Sequence, residues 1–534
     1  MTARPTPESL EDQDTLTVTT SATTTVTLAE RLAGLRRSGH FEQAADLARH
    51  GQPAIVSAPE HLEAGMSLAA VSDYDAANAH LLLAALDNRK APAALAKLAE
   101  IAWIRHDHAR GREYALDGLA LDPGNRACRI QLRRNESAET NDNARGDTTG
   151  MIAHAAFHAD PHGNAGDLAL VDSVRHGFDL EYGTRPGKGL DRSTTRRKHS
   201  SPRWWDVHVH QVFDERRLAQ VNAGDGLIVG GGGLFLPDTA PNGNSGWQWN
   251  VTDEMLRRVT VPLVVWAVGY NTFEGQDFDG SRFAASLRTL VDQAAFVGLR
   301  NSGSVERVRA MLPDHLAQKV RWQPCPTTVI SRLGGPAWET PRQPNEGDSG
   351  PVLLNCAYDR SDRRFGDDYG QFLRGIRDWI LATRKRAEVR YAAHCVDDEN
   401  LVVDLRREYG LTLPVIPMYD LPVTEIHATY RRAALVVGMR GHAGMIPFGC
   451  GTPIISLVSH PKLTFFLADL GRPEWGVPVH EPALAGRLGE LTDQILDDRT
   501  AVVADVDALQ QRLFDVTLEN LAALPKPLRV VPRR

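Results

Sequence analysis

From residue 151 onward, short β-rich runs alternate with helix-patterned stretches, which predicts an α/β protein built on parallel sheets. A Pro/Gly/polar break, "RLGGPAWETPRQPNEGDSGP" (332–351), divides that alternation into two Rossmann-like domains, 151–335 and 350–534. Ahead of them, Ala- and Leu-rich text with helical spacing over 28–133 predicts an all-α helical-repeat region.

The elements follow in order. Residues 1–27 are Thr/Ser/Glu-rich and read as a disordered tail. In the helical region "HFEQAA" (40–45), "DYDAAN" (73–78) and "DHARGR" (107–112) recur at steps of 33 and 34, and "LLAALDN" (82–88) is answered by "DGLALDPGN" (117–125). The period and the "ALxLDPGN" ending resemble tetratricopeptide repeats, although the Trp-Leu-Gly-Tyr part of that pattern is missing; a plain helical bundle is the alternative. Two or three such units are marginal alone, so they are expected to dock on the next domain or on a protein partner. The polar stretch 134–150 reads as a linker. Then "MIAHAAFH", "GLIVGGGGLF", "PLVVWAVGY" and "FVGLR" supply strands of the first domain; "VLLNCAY", "VRYAAHC", "LVVGM" and "PIISLV" supply those of the second.

Composition bounds the function. The chain has 534 residues, 42% hydrophobic and 24% charged, with a net charge of −7, so no global field favours nucleic acid or anionic lipid. The basic tract "RSTTRRKHSSPR" (192–203) is a local exception. Five scattered cysteines lack CxxC spacing, which argues for free thiols over zinc or disulfides. No signal-peptide pattern and no run of apolar residues long enough for a membrane span are found, so a cytoplasmic location is expected.

In parallel sheets ligands bind beyond the carboxyl ends of the strands, and the chemistry-bearing motifs stand there. "DPHGNAGDLAL" (160–170) opens a helix with glycines that admit close backbone approach; Asn164 and Asp167 are candidate ligand contacts, Asp167 alternatively a helix cap. The pattern is not GxGxxG, so no dinucleotide fingerprint is present. "VGGGGLF" places Gly230, Gly231, Gly232 and Gly233 after an apolar run, as an amide-rich loop for an anion or as a packing turn. "GLRNSGS" sets Arg300 before a helix start, where a cation opposes the helix dipole unless an anion binds. Ser304 in that motif is a contact or an N-cap. In "GMRGHAG", Arg440 and His442 stand two apart; in extended chain both face one way, giving an anion clamp beside a proton donor. Lys462 in "HPK" is a further contact or a solvated lysine. Trp204, Trp205, Trp247 and Trp249 are candidate platforms for sugar rings or packing anchors.

"GNAGDLAL", "GLIVGGGGLF", "VGLRNSGS", "GMRGHAGMIPFGCGTPIISL" and "HPKLTFFLADLG", in this order, resemble the polysaccharide pyruvyl transferase family over about 150–480. The resemblance implies a GT-B-like arrangement of the two domains and transfer of a pyruvyl group from phosphoenolpyruvate to sugar hydroxyls as a ketal, with phosphate released. Phosphoenolpyruvate would be the donor substrate and a glycan the acceptor, with neither metal nor separate cofactor. His442 would be the general acid and Arg440 the donor clamp. The chain departs from the family pattern at Leu168, Asn301 and Gly441, where an acidic residue, Asp and Leu are usual. The other readings are a GT-B glycosyltransferase using a nucleotide sugar, and a repeat-bearing scaffold with a degenerate transferase body.

Overall fold

The computed structural model describes residues 26–528 apart from 52–53, 145, 159–162, 182–195, 198–202, 274, 279 and 335–348. The tail up to residue 25, most of the interdomain break and most of the basic tract therefore lie outside the described residues.

Among the described residues seven helices come first: α1 (Leu28–Arg37), α2 (Phe41–His50), α3 (Ala58–Ala70), α4 (Tyr74–Ala84), α5 (Ala91–Ile104), α6 (His108–Leu121) and α7 (Arg126–Ala144). Thr27 and Ser57 close capping boxes with Glu30 and Glu60, which fixes the starts of α1 and α3. The turns within the pairs α1/α2, α3/α4 and α5/α6 each contain one residue with positive φ: Gly39, Ser72 and His106. Those positions repeat at the same 33- and 34-residue steps as the sequence motifs. The stretch read as a linker is helical through Ala144. Its polar text hides a core position, Asn135, which is fully buried and donates its amide to the carbonyls of Ala99 and Gln131.

The first α/β domain carries β1 (Ile152–Ala156), a small hairpin of β2 (Leu180–Glu181) and β3 (Arg196–Arg197), β4 (Trp204–His208), β5 (Gly226–Phe235), β6 (Leu263–Tyr270), β7 (Phe296–Leu299) and β8 (Val320–Trp322). Its main sheet is parallel throughout, in the order β4-β1-β5-β6-β7-β8. The second domain holds β9 (Val352–Asn355), β10 (Val389–Ala393), β11 (Val415–Pro417), β12 (Leu435–Gly438), β13 (Ile454–Val458) and β14 (Gly476–Pro478). These are also all parallel, in the order β11-β10-β9-β12-β13-β14. Counted within the domain, that is the doubly wound order 3-2-1-4-5-6. Strands such as β1, β6, β9 and β12 are buried at every position, as expected of parallel sheets covered on both faces. The predicted pair of Rossmann-like domains is thus present.

Four helix starts matter for the site: α8 (Ala165–Phe178), α9 (Ser302–Ala310), α10 (Gly441–Gly449) and α11 (Pro461–Leu470). The last long helix, α12 (Arg499–Ala522), belongs to the second domain by sequence but returns to the first. There Asn520 donates to the carbonyl of Trp322, and Gln323 bonds Thr517. One apolar core joins Leu170 and Val174 of the first domain to Tyr430, Met445 and Phe448 of the second and to Leu513 and Leu521 of α12. Among the described residues, no helix is long and apolar enough to cross a membrane.

The helical region docks on the first domain rather than standing free. Val212 N–H donates to Ile104 O at 2.9 Å and the Gln211 amide to Trp103 O at 3.0 Å. Asn250 donates to the Tyr74 hydroxyl, and Arg217 grips Asp142 of α7 through both carboxylate oxygens at 2.8 and 3.0 Å.

Candidate active site

The two sheets turn their switch points toward each other. In the first domain the chain reverses between β1 and β5; in the second it does so between β9 and β12. The loops following those four strands enclose an interdomain cavity of about 560 Å³, the place where doubly wound sheets bind ligands.

The first domain supplies one wall. Asn164 caps α8, accepting the Gly166 N–H at 2.8 Å, and the Ala165 N–H crosses the cleft to the carbonyl of His394. Asp167 lies in the first turn of α8 and lines the cavity; burial pushes its carboxyl up to about 6, against the pull of Arg440, Arg300 and Lys462. The four glycines are part of β5 itself, not of a loop after it. Gly230, Gly231 and Gly232 have positive φ, and the register against β6 shifts just after them, between Gly232 and Phe235. Gly231, Gly232 and Gly233 face the cavity. Gly230 does not: its carbonyl bonds the buried His154, and a Cβ there would meet the Trp266 carbonyl at 2.4 Å. Gly233 is required by crowding, since a Cβ would collide with the Asn271 amide.

Arg300 stands at the end of β7, 6% exposed, and donates to Asn271 Oδ1 at 2.7 Å. Its Nε is buried without a partner, and among the described residues no carboxylate pairs with it. Burial lowers its affinity for the proton, as expected of a cation without a salt-bridge partner. Ser304, expected as a contact, lies outside the cavity. It is fully buried, and its hydroxyl accepts the Tyr270 N–H. Asn301 rather than Ser304 caps α9, and the carboxylate of Asp469 accepts the Ser302 N–H across the domain boundary. That places an anion at the helix start, so the Asn301 departure retains a capping function.

The second domain supplies the other wall. Arg440 and His442 do share the cavity, but by a different geometry from the extended one expected. Arg440 is the N-cap residue of α10, and His442 occupies the helix's first turn. Arg440 is not an open clamp. Nε and Nη2 grip the buried Asp398 at 2.6–3.0 Å, and Nη2 also meets Asp359 at 2.7 Å. The guanidinium therefore organises the wall. His442 packs so closely on α8 that a Cβ on Gly166 would stand 2.6 Å from its Nδ1. Burial, followed by Arg300, His394 and Lys462, holds the imidazole well below its ordinary value, so it is neutral at pH 7 in this arrangement. Lys462, in the first turn of α11, has no ion pair among the described residues. Burial beside Arg364 and Arg300 pulls its ammonium well below the ordinary lysine value.

Several residues of this wall were missed by sequence reasoning. Asp359 and Arg364 follow β9 in "CAYDRSDRR", and His394, Cys395 and Asp398 follow β10 in "HCVDDEN". Their position after strand ends was the available signal. Arg364 is 4% exposed and binds Asp359 and Ser459. Three neighbouring guanidiniums and Lys462 hold Asp359 well below the usual carboxylate range. His394 is fully buried, and burial brings it down to about 4. Burial raises the Cys395 thiol to about 12, which leaves it inert as a nucleophile. The described cysteines are all free. Of the four tryptophans, Trp205, Trp247 and Trp249 are buried in the first domain's core, and Trp204 packs edge-on against Phe178 and His154. They anchor the fold rather than offer faces to a sugar. Among the described residues one group has metal-like spacing, His106, His108 and Asp142, and it lies at the helical-region junction with Arg217 already on Asp142.

Two doubly wound domains clasping a cavity lined by several cationic side chains define an α/β protein with an interdomain site. A family model for polysaccharide pyruvyl transferase matches residues 164–461, more than half of the chain, and the protein belongs to that family. No curated protein sequence matches it. Solved structures similar to it include an MnaA–UDP complex from S. aureus, at 11% identity and a TM-score of 0.39, covering 71% of this chain and 99% of that one. A UDP-N-acetylglucosamine 2-epimerase from Listeria monocytogenes, described as putative, gives 12% and 0.39, covering 72% and 100%. A mutant O-GlcNAc transferase from Thermobaculum terrenum gives 13% and 0.32, covering 92% and 98%.

Proposed function

We propose that the cavity binds phosphoenolpyruvate and transfers its pyruvyl group to a sugar. The observation that carries this reading is the pair of cations Arg300 and Lys462, contributed by different domains, buried or lining the cavity and, among the described residues, paired with no carboxylate. Buried charges are ordinarily paired. A donor with a carboxylate and a phosphate on three carbons supplies two anions within reach of two such cations. The start of α10 adds N–H groups, and the starts of α8 and α10 both add helix-dipole potential.

The proton comes from His442. A phosphate held about 4 Å from the imidazole stabilises its charged form by about 4 kcal/mol at an effective dielectric of 20, roughly three pKa units. The donor thereby favours the charged form of its own acid. His442 then gives a proton to the methylene carbon, which becomes a methyl group and leaves positive charge at C2. A sugar hydroxyl adds to C2 and releases its proton to Asp167, whose carboxyl near 6 is ionised at pH 7 and basic enough to receive it. The C2–O bond to phosphate breaks, phosphate leaves with the bonding pair, and a second hydroxyl closes the ketal. Its proton departs with phosphate.

The test is release of inorganic phosphate from phosphoenolpyruvate in the presence of glycans. Arg300→Gln is expected to weaken donor binding by at least about a hundredfold, the loss of a charged bond in a buried site. Thermal stabilisation of the wild-type chain by nucleotide sugars but not by phosphoenolpyruvate would overturn the reading.

A further inference from the structure

A second cavity, of about 380 Å³, lies where the helical region meets the two α/β domains, within the size range of ligand pockets. Its walls come from α1, α2, α3, α4, α5 and α7, from the 238–250 loop of the first domain, and from Arg360 and Arg363 of the second. It shares a wall with the active-site cavity. Arg360 lines both and donates to Asp238 at 2.7 Å and to Thr239 at 2.5 Å; Asp238 faces the second cavity and Thr239 the first. That partition is strained. Arg360 and Ala240, neither a glycine, hold positive φ of 55° and 46°, a backbone state that persists only where surroundings enforce it and that collects at binding sites.

The charge in this cavity is unbalanced. Arg36 pairs with Glu63, Lys97 with Glu100 and Arg360 with Asp238. Arg37 on α1 and Arg363 are exposed at the rim, and among the described residues neither has an ion pair. Arg134 stacks over Trp103 at 5.3 Å, and Phe41 adds a second ring to the lining. The Phe41 ring beside the guanidiniums of Arg37 and Arg363 suits a sugar that carries an anion.

Resting on the proposed pyruvyl transfer, we infer that the helical region forms part of the acceptor site. The sugar to be modified enters the interdomain cavity, while a neighbouring anionic sugar of the same acceptor, bearing a carboxylate or a phosphate, sits in the second cavity against Arg37 and Arg363. The helices are then a wall of the enzyme that selects acidic glycans.

The experiment measures binding of tetragalacturonate, maltotetraose 1-phosphate and neutral maltotetraose by calorimetry to the full chain and to the double variant Arg37→Glu, Arg363→Glu. Both side chains are exposed and lie outside the donor machinery, so phosphoenolpyruvate affinity is expected to stay within twofold. At least one anionic probe is expected to bind at least tenfold tighter than the neutral one and to lose at least tenfold in the variant. Which anionic probe does so tells carboxylate from phosphate. Equal binding of the neutral probe, binding unchanged by charge reversal, or no binding of either anionic probe would overturn the inference. Absence of phosphoenolpyruvate binding alongside charge-sensitive tetragalacturonate binding would count against the donor assignment alone.

Discussion

At the scale of single residues, the cavity stores unfavourable protonation states that an anionic donor relieves. His442 and Lys462 are both held below their ordinary values by burial and by neighbouring cations, and Asp167 is raised to about 6 by burial. An anion placed beside His442 and Lys462 raises both toward their ordinary values, and the neutral imidazole of His442 gains proton occupancy on binding. Phosphoenolpyruvate binding is therefore expected to take up a proton at His442, and its affinity to fall by up to tenfold per pH unit as pH rises above the value of the free enzyme's imidazole. Calorimetry in buffers of different ionisation enthalpy reads the proton count directly. His442→Ala should lower that count while leaving the chain folded; proton release on binding would contradict this electrostatic account. Arg440, which the sequence singled out as the clamp, instead holds Asp398 and Asp359. An arginine's partners are set by loops 42 and 81 residues away, information that local spacing does not contain.

At the scale of elements, the site is made by bringing helix starts together, and glycine decides how close they come. Gly166 and Gly177 sit in the same helix, α8, and make a paired comparison. A methyl at Gly177 meets nothing within 4 Å, so Gly177→Ala should stabilise by about 0.5 kcal/mol through helix propensity. A methyl at Gly166 would stand 2.6 Å from His442 Nδ1, and the propensity gain cannot absorb that overlap, which costs about 1–3 kcal/mol. Gly166→Ala should lower the melting temperature and depress phosphate release at least tenfold by displacing His442, while Gly177→Ala raises the melting temperature and leaves turnover unchanged. Equal behaviour of the two variants would refute the close α8–α10 contact. The elements themselves were legible because parallel strands buried on both faces write themselves as apolar runs, as in "VLLN" and "LVVG". The glycine run was read as a loop because its text ends the apolar stretch. The backbone carries the strand onward to Phe235 through positive-φ glycines and then a register shift, which only tertiary pairing with β6 defines.

At the scale of the whole molecule, the three parts are fastened by polar contacts that sequence patterning does not announce, and the fastening of the helical region can be tested at Arg217. This side chain, 6% exposed, places both carboxylate oxygens of Asp142 within 3.0 Å and also approaches His106, whose other ring nitrogen bonds the Val212 carbonyl. Removing one partner of a fully buried pair costs about 3–5 kcal/mol. Here Arg216 remains 3.5 Å from Asp142, so the loss from Arg217→Ala should be smaller, about 2 kcal/mol. The damage should also be local. The contacts at stake join α5–α7 to the first domain, whereas the second domain is held through α12 and the shared apolar core. Hydrogen exchange is therefore expected to accelerate in the helical region around residues 100–142 and in 211–217, with β9–β13 protected as before. If the helical region walls the acceptor site, the same variant should weaken anionic-glycan binding more than phosphoenolpyruvate binding. Uniform acceleration across both α/β domains would mean instead that the helices are an integral part of one cooperative core.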